Sequence, residues 1–102
     1  MDWVFLSWAP ATFDAHGNYP NPFNPTTTIS YSLPQQMKVR LTIYNIIGQK
    51  VATLLDAQQK AGLQNVTWDA SHVASGIYIY RIVAKAADGQ RFVSEKKMVL
   101  IK

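Results

Sequence analysis

A chain of 102 residues has the size of one domain, and its 48% of apolar residues are enough to build a hydrophobic core. It contains no cysteine, which excludes disulfide bonds and thiol chemistry. The net charge of +4 is small and the cations are spread over many segments, a pattern that indicates a solvated surface and argues against nucleic-acid binding. No apolar run has the length of a membrane span.

The first residues, 1–17, are predicted to be a linker or the tail of a preceding element. The apolar run from Met1 to Ala9 is too short for a signal peptide and carries Asp2 where a basic residue is usual. An export signal is therefore expected at the start of a longer parent protein. We place the domain itself at residues 18–102.

A proline-rich segment opens this domain. Proline fixes its own φ and pushes the preceding residue toward extended geometry, so three Xaa-Pro pairs in seven residues exclude a helix. The two aromatic side chains of the segment are expected to pack against the rim of the domain. We call this segment the strap; its residues are Tyr19, Pro20, Asn21, Pro22, Phe23, Asn24 and Pro25.

Alternation of apolar and polar residues with period two follows the strap and predicts β-strands. The predicted strands are 27–33, 38–44, 49–55, 64–69, 77–87 and 90–101. A turn is predicted over 45–48, a polar connection over 56–63 and a loop over 70–76, and Asp88-Gly89 is a two-residue hairpin signal. Six or seven short strands with regularly spaced turns predict an all-β fold, an antiparallel β-sandwich.

The same alternation predicts the core. The inward-facing side chains are expected to be Ile29, Tyr31, Leu33, Val39, Leu41, Ile43, Val66, Trp68, Tyr78, Tyr80, Ile82 and Ala84. The final strand is apolar on both faces from Met98 to Ile101. Either a covered strand or an edge that meets a partner would explain that pattern.

The residues that could carry catalysis or bind a metal are few and scattered. The six acids form neither a calcium-binding ladder nor a clear facing pair of carboxylates. His16 and His72 stand apart in predicted loops, and His72 with Ser71 and Ser75 is the nearest approach to a nucleophile cluster. The five glycines are isolated, which excludes a phosphate-binding loop. The sequence predicts no enzyme, no cofactor and no metal.

Three tryptophans and five tyrosines leave open an aromatic platform for sugar rings. Trp68 alternates with Val66 and is expected in the core instead. Trp3 and Trp8 are not readily assigned to a core, since a spacing of five puts them on opposite faces of a regular strand.

Taken in order, the motifs resemble the C-terminal sorting domains of the type IX secretion system. The strap leads into Thr26 to Pro34, and the likeness continues over Val39 to Val51 with Gly48, Val66 to Asp69 with Trp68, and Ala74 to Ile82 with Gly76 and Tyr78. It closes with Lys96, Lys97, Met98, Val99, Leu100, Ile101 and Lys102. The resemblance covers residues 12–102 and departs from the family in a short loop over 70–74.

The resemblance implies an immunoglobulin-like sandwich of about seven strands, linked to an upstream cargo. Such domains enter the periplasm, are recognised by the outer-membrane translocon and are removed by a sortase-like protease, so the cargo is secreted or kept at the cell surface. The cut is expected within or before residues 9–18. The domain is expected to be a monomer that neither inserts into a membrane nor binds nucleic acid.

The closing segment, residues 96–102, is the expected recognition element. An extended terminal strand offers backbone donors and acceptors and an apolar row for β-augmentation. Lysines at both ends of that row discourage indiscriminate edge pairing.

A second resemblance leads to an alternative function. The strand pattern is also similar to the immunoglobulin-like domain of flagellar hook-capping proteins and to accessory modules of secreted polysaccharide-degrading enzymes. On that alternative the domain is a structural spacer or a carbohydrate-binding module.

Overall fold

The computed structural model describes residues 12–102. They form seven antiparallel strands: β1 (Asp14–Tyr19), β2 (Thr26–Leu33), β3 (Met37–Asn45), β4 (Lys50–Gln59), β5 (Gly62–Asp69), β6 (Gly76–Lys85) and β7 (Arg91–Leu100). One sheet has the order β1-β2-β5 and the other β4-β3-β6-β7. The predicted antiparallel, immunoglobulin-like β-sandwich is confirmed. These residues include no helix that could cross a membrane.

The core lies between the two sheets and comes from alternate residues of the strands. The predicted inward-facing side chains of β2, β3 and β6 are all buried, and the Trp68 ring on β5 is 5% exposed. Val66 is only partly buried and packs at the margin of this core. Burying a large apolar side chain contributes about 1.5–3 kcal/mol, so these rows are the main source of stability.

The connection predicted over 56–63 is wrong, because β4 runs to Gln59 and β5 begins at Gly62. The polar residues Asp56 and Gln58 continue the ladder and pair with β3. β4 is an edge strand with much of its surface in solvent, so it needs little apolar alternation to form.

The strand β1 lies in a segment for which the sequence predicts none. It pairs with β2 from Asp14 opposite Ser32 to Tyr19 opposite Thr28, with a shift in register at Gly17, whose φ is 101°. Such a bulge breaks the regular alternation on which a strand prediction depends. The predicted domain boundary at residue 18 therefore falls inside β1. Trp3 and Trp8 lie outside the described residues.

Candidate functional site

The strap covers the end of β7. The Phe23 amide donates a hydrogen bond of 2.9 Å to the Val99 carbonyl, and the Ile101 amide donates one of 2.9 Å to the Phe23 carbonyl. The Val99 amide also donates to Asn21 Oδ1 at 3.0 Å. The last residues of β7 are thus held by β6 on one side and by the strap on the other.

An aromatic cluster fixes the strap to the core. The Phe23 side chain is 2% exposed, and its ring centroid lies 5.8 Å from that of Trp68. Trp68 meets Tyr78 edge-on at 5.5 Å, and the Tyr78 hydroxyl donates to the Ala74 carbonyl at 2.6 Å. The expected packing of the strap is therefore right for Phe23. It is wrong for Tyr19, which is 83% exposed at the end of an edge strand.

Polar contacts hold both ends of the strap. The Thr27 hydroxyl is almost completely buried; it donates to the Pro20 carbonyl at 2.8 Å and accepts from Asn18 Nδ2 at 3.0 Å. At the other end, the Ala70 amide donates to the Pro25 carbonyl at 2.9 Å. These hydrogen bonds satisfy two strap carbonyls that take no part in sheet pairing. They therefore fix the position of the strap on the sandwich.

The terminal lysine is held by the β5–β6 loop (residues 70–75). Lys102 Nζ donates to the Ser71 carbonyl at 2.9 Å and to the Val73 carbonyl, and the Lys102 amide donates to Ser75 Oγ at 3.1 Å. Asp69 shapes this loop, since its carboxylate accepts from the hydroxyl and the amide of Ser71. Those hydrogen bonds lower the pKa of Asp69. The two serines beside His72 therefore have structural contacts.

The structure divides the predicted recognition segment into buried and exposed members. The Met98 and Leu100 side chains are 0% and 1% exposed and belong to the core, and Val99 is half-buried. Lys96, Lys97, Ile101 and Lys102 are exposed. A covered strand thus explains the apolar residues 98–100, because Met98 and Leu100 face the core and the strap bonds to Val99, whereas Ile101 remains exposed.

The other predicted motif residues lie at the same end of the sandwich. The turn over 45–49 follows β3 where Asn45 pairs with Tyr78, and Gly76 begins β6 opposite Leu100. Asn45 Oδ1 accepts from the amides of Ile47 and Gln49, and Gly48 adopts a φ of 89°. We call this the C-terminal end; its exposed apolar side chains are Tyr19, Ile46, Ile47 and Ile101.

The β1-β2-β5 sheet contains a contact among Ser32, His16 and Asp14 that the sequence analysis did not predict, because it placed His16 alone in a loop. His16 Nε2 lies 2.7 Å from Ser32 Oγ, and His16 Nδ1 lies 3.5 Å from the Asp14 carboxylate. The pairing of β1 with β2 brings His16 and Ser32 together, so the contact could have been predicted only if β1 had been predicted as a strand. Ser32 is on the central strand, whose backbone serves ladders on both sides, so the surrounding amides are not arranged as an oxyanion hole.

Residues 12–102 contain no group of three or more metal-ligating side chains close enough to hold an ion. Trp68, the residue considered for a sugar platform, is in the core as predicted.

The solved structures with similar folds include the following three. Dimeric latent PorU from Porphyromonas gingivalis matches with a TM-score of 0.70 and 22% identity, over 87% of this chain and 9% of the PorU chain. The PmoD soluble domain from Methylocystis sp. ATCC 49242 (Rockwell) matches with a TM-score of 0.56 and 16% identity, over 81% and 79% of the two chains. CopC from Methylosinus trichosporium OB3b matches with a TM-score of 0.54 and 12% identity, over 86% of this chain and 92% of the CopC chain.

These likenesses support the sandwich fold. Among curated proteins, none matches this chain. The family described as "Secretion system C-terminal sorting domain" matches residues 18–100, a span that includes the strap and nearly all of β7. The chain therefore belongs to the family of type IX secretion C-terminal sorting domains, which mark proteins for export to the cell surface or the medium.

Proposed function

We propose that the type IX translocon recognises this domain at its C-terminal end, as a folded surface. The observation that carries the proposal is the set of hydrogen bonds that join residues 99–102 to the strap and to the β5–β6 loop. Residues that follow the last strand of a domain are poorly ordered unless they are tied down. Here the last residues are tied, so their exposed side chains occupy fixed positions that a partner can read.

The members of residues 96–102 have different roles in this proposal. Lys96, Lys97 and Ile101 are exposed and contact the partner, with Tyr19, Ile46 and Ile47 of the same end as further apolar contacts. Met98 and Leu100 anchor the strand in the core and keep the exposed members in register. Lys102 holds the terminus on the β5–β6 loop.

A sortase-like protease then removes the domain from its cargo. A protease needs an accessible, unpaired backbone, and the backbone from Asp14 onward is bonded into the ladder with β2. We therefore place the cut before Asp14, within the interval that the family resemblance indicated. The cargo is an upstream domain of the same polypeptide, and the sorting domain itself acts as a monomer.

An export assay with two matched double variants tests the recognition surface. The full chain is fused after a reporter with a periplasmic signal, in a host that has the type IX machinery. Lys96→Ala with Ile101→Ala removes one exposed cation and one exposed apolar side chain from the predicted recognition segment, residues 96–102. Lys60→Ala with Leu63→Ala removes the same pair at the opposite end, where Leu63 is 56% exposed and Ile101 is 53% exposed.

We expect the first variant to leave the reporter in the periplasm and the second to be exported like the parent. Both should keep the parental melting temperature, since all four side chains are on the surface. Equal export of the two variants would contradict recognition at the C-terminal end.

A further inference from the structure

A basic hollow lies on the outer face of the β4-β3-β6-β7 sheet. It has a volume of about 270 Å³ and is lined by Lys38, Arg40, Asp56, Arg81, Val83, Lys85 and Arg91. Lys38 pairs with Lys85 across β3 and β6, and Lys85 pairs with Arg91 across β6 and β7. Like charges directly opposite one another destabilise a sheet, so this row of three cations favours an external counter-charge.

The two carboxylates near the hollow form ion pairs with Lys38, Arg40 and Arg81. Asp56 lies 3.4 Å from Arg40 and 4.0 Å from Lys38, and Glu95 lies 3.4 Å from Arg81. Within residues 12–102, no carboxylate lies within 4.0 Å of the Lys85 or Arg91 side chain. The positive charge of the hollow is therefore least compensated toward β7.

Within residues 12–102, no strand pairs with the edge of β7 beside this hollow over 91–97, and we call this stretch the open edge. Val99 and Ile101 direct their backbone groups outward, to the strap. The ladder between β6 and β7 has no register shift, and in an antiparallel ladder the hydrogen-bonding direction alternates along the strand. Arg91, Val93, Glu95 and Lys97 therefore also direct theirs outward, and among the described strands only β6 pairs with β7.

We propose that an extended acidic peptide segment adds to β7 as a further strand along residues 91–97. Its backbone pairs with the four outward-directed residues, and its carboxylates lie opposite Arg91 and Lys97, whose side chains are on the outer face. Val93, 43% exposed, contacts an apolar residue, whereas Glu95 is already compensated by Arg81. The two acidic positions of the partner are thus six residues apart, about 20 Å along a strand.

This inference rests on the proposed function, because it gives the chemistry of a segment that the secretion machinery presents to the domain. The need for backbone pairing selects a peptide over other anions. The cations at both ends of the open edge select an acidic peptide over a neutral one, and they also discourage pairing between copies of the domain. The strap stops the added strand at residue 99.

The test is peptide binding to the full chain, measured by fluorescence anisotropy. The acidic probe is a nine-residue valine- and threonine-rich peptide with glutamates six positions apart; the control probe has lysines at those positions. Val93→Pro removes one outward amide without breaking a bond to β6, and Val93→Thr is its matched control. Arg91→Gln with Lys97→Gln removes the two charges. Melting temperatures report whether each variant is folded.

We expect the acidic peptide to bind the parent and Val93→Thr at least tenfold more tightly than it binds Val93→Pro or the Arg91→Gln, Lys97→Gln variant. Three results would overturn the inference: equal binding of the two probes, unchanged binding to Val93→Pro, or slow exchange of the outward-directed Val93 and Lys97 amides in the free full chain. The last result would mean that the edge is already covered in the free protein. Failure here leaves the export assay unaffected, because that assay changes Lys96 and Ile101, which all the peptide-binding variants retain.

Discussion

The two halves of β7 have different neighbours along their outer edge. Val99, and Ile101 just beyond the strand, are bonded to the strap, whereas residues 91–97 have no pairing partner on that side within the described chain. The covered part, from residue 98 onward, has the buried side chains of Met98 and Leu100 and is followed by Lys102, which is bonded to the β5–β6 loop. The open part, residues 91–97, carries charged side chains beside the basic hollow. One strand can thus give the domain a fixed terminus and also leave an edge for a partner.

The largest expected effect is the loss of the aromatic anchor of the covered half. Phe23→Ala should lower the free energy of unfolding by about 3–5 kcal/mol, because it empties a buried site against Trp68. It should also speed exchange of the Val99 and Ile101 amides. Tyr19→Ala, which removes an exposed ring of the same strap, should change the free energy of unfolding by less than about 0.5 kcal/mol. Urea denaturation measures both; similar losses would show that the two rings are equivalent.

A smaller effect is expected from the polar anchor at the start of the strap. Thr27→Val keeps the shape of the side chain but removes the hydroxyl that donates to the Pro20 carbonyl and accepts from Asn18. The expected loss is about 1–3 kcal/mol, the cost of leaving a buried polar group unpaired. Protease sensitivity should rise in the strap and remain unchanged in β3 and β6. Uniform sensitivity would mean that the strap is part of the global folding unit.

Proline substitutions compare the two halves of β7 directly. Val99→Pro removes an amide that donates to Asn21, and we expect a loss of about 1 kcal/mol in the free energy of unfolding. Val93→Pro removes an outward amide with no partner in the described chain, so its loss should be smaller. A larger loss for Val93→Pro would indicate that the edge at 91–97 is already paired.

Acid should weaken the contact between Lys102 and the β5–β6 loop, and of these changes it should have the smallest effect on the free energy of unfolding. The pKa of Asp69 is lowered in the folded protein by hydrogen bonds from Ser71. Its contribution is therefore present above the unfolded pKa of 3.8 and is lost as the pH falls through the lower folded value. As the pH falls below 3.8, NMR should show lower protection factors for the Ser71 and Lys102 amides, that is, faster exchange after correction for the intrinsic pH dependence of amide exchange. Asp69→Asn should show the faster exchange already at pH 6; unchanged exchange in that variant would remove Asp69 from the anchor.

The sandwich could be predicted from the sequence because period-two alternation is local. It marks inward-facing residues such as Ile29 and Tyr80 without knowledge of their partners. Two edge elements lack that signal. β1 is interrupted by the bulge at Gly17, and the second part of β4 is polar because much of it faces solvent.

The candidate site was only partly predictable. Family resemblance pointed to residues 96–102, but it could not distinguish buried Met98 from exposed Ile101. The bonds from Asn21 and Phe23 to β7 join residues far apart in the chain, and no short-range pattern encodes them. The same holds for the basic hollow, whose cations come from three strands.

Residue-resolved amide exchange of the full chain at neutral pH tests most directly whether the terminus is a fixed surface. The account predicts slow exchange for Val99, Ile101 and Lys102, whose amides are bonded to the strap and to the β5–β6 loop. It predicts fast exchange for Val93 and Lys97 on the open edge. Exchange at 99–102 as fast as at 93 and 97 would contradict the account, because the C-terminal end would then not be held in place for the translocon.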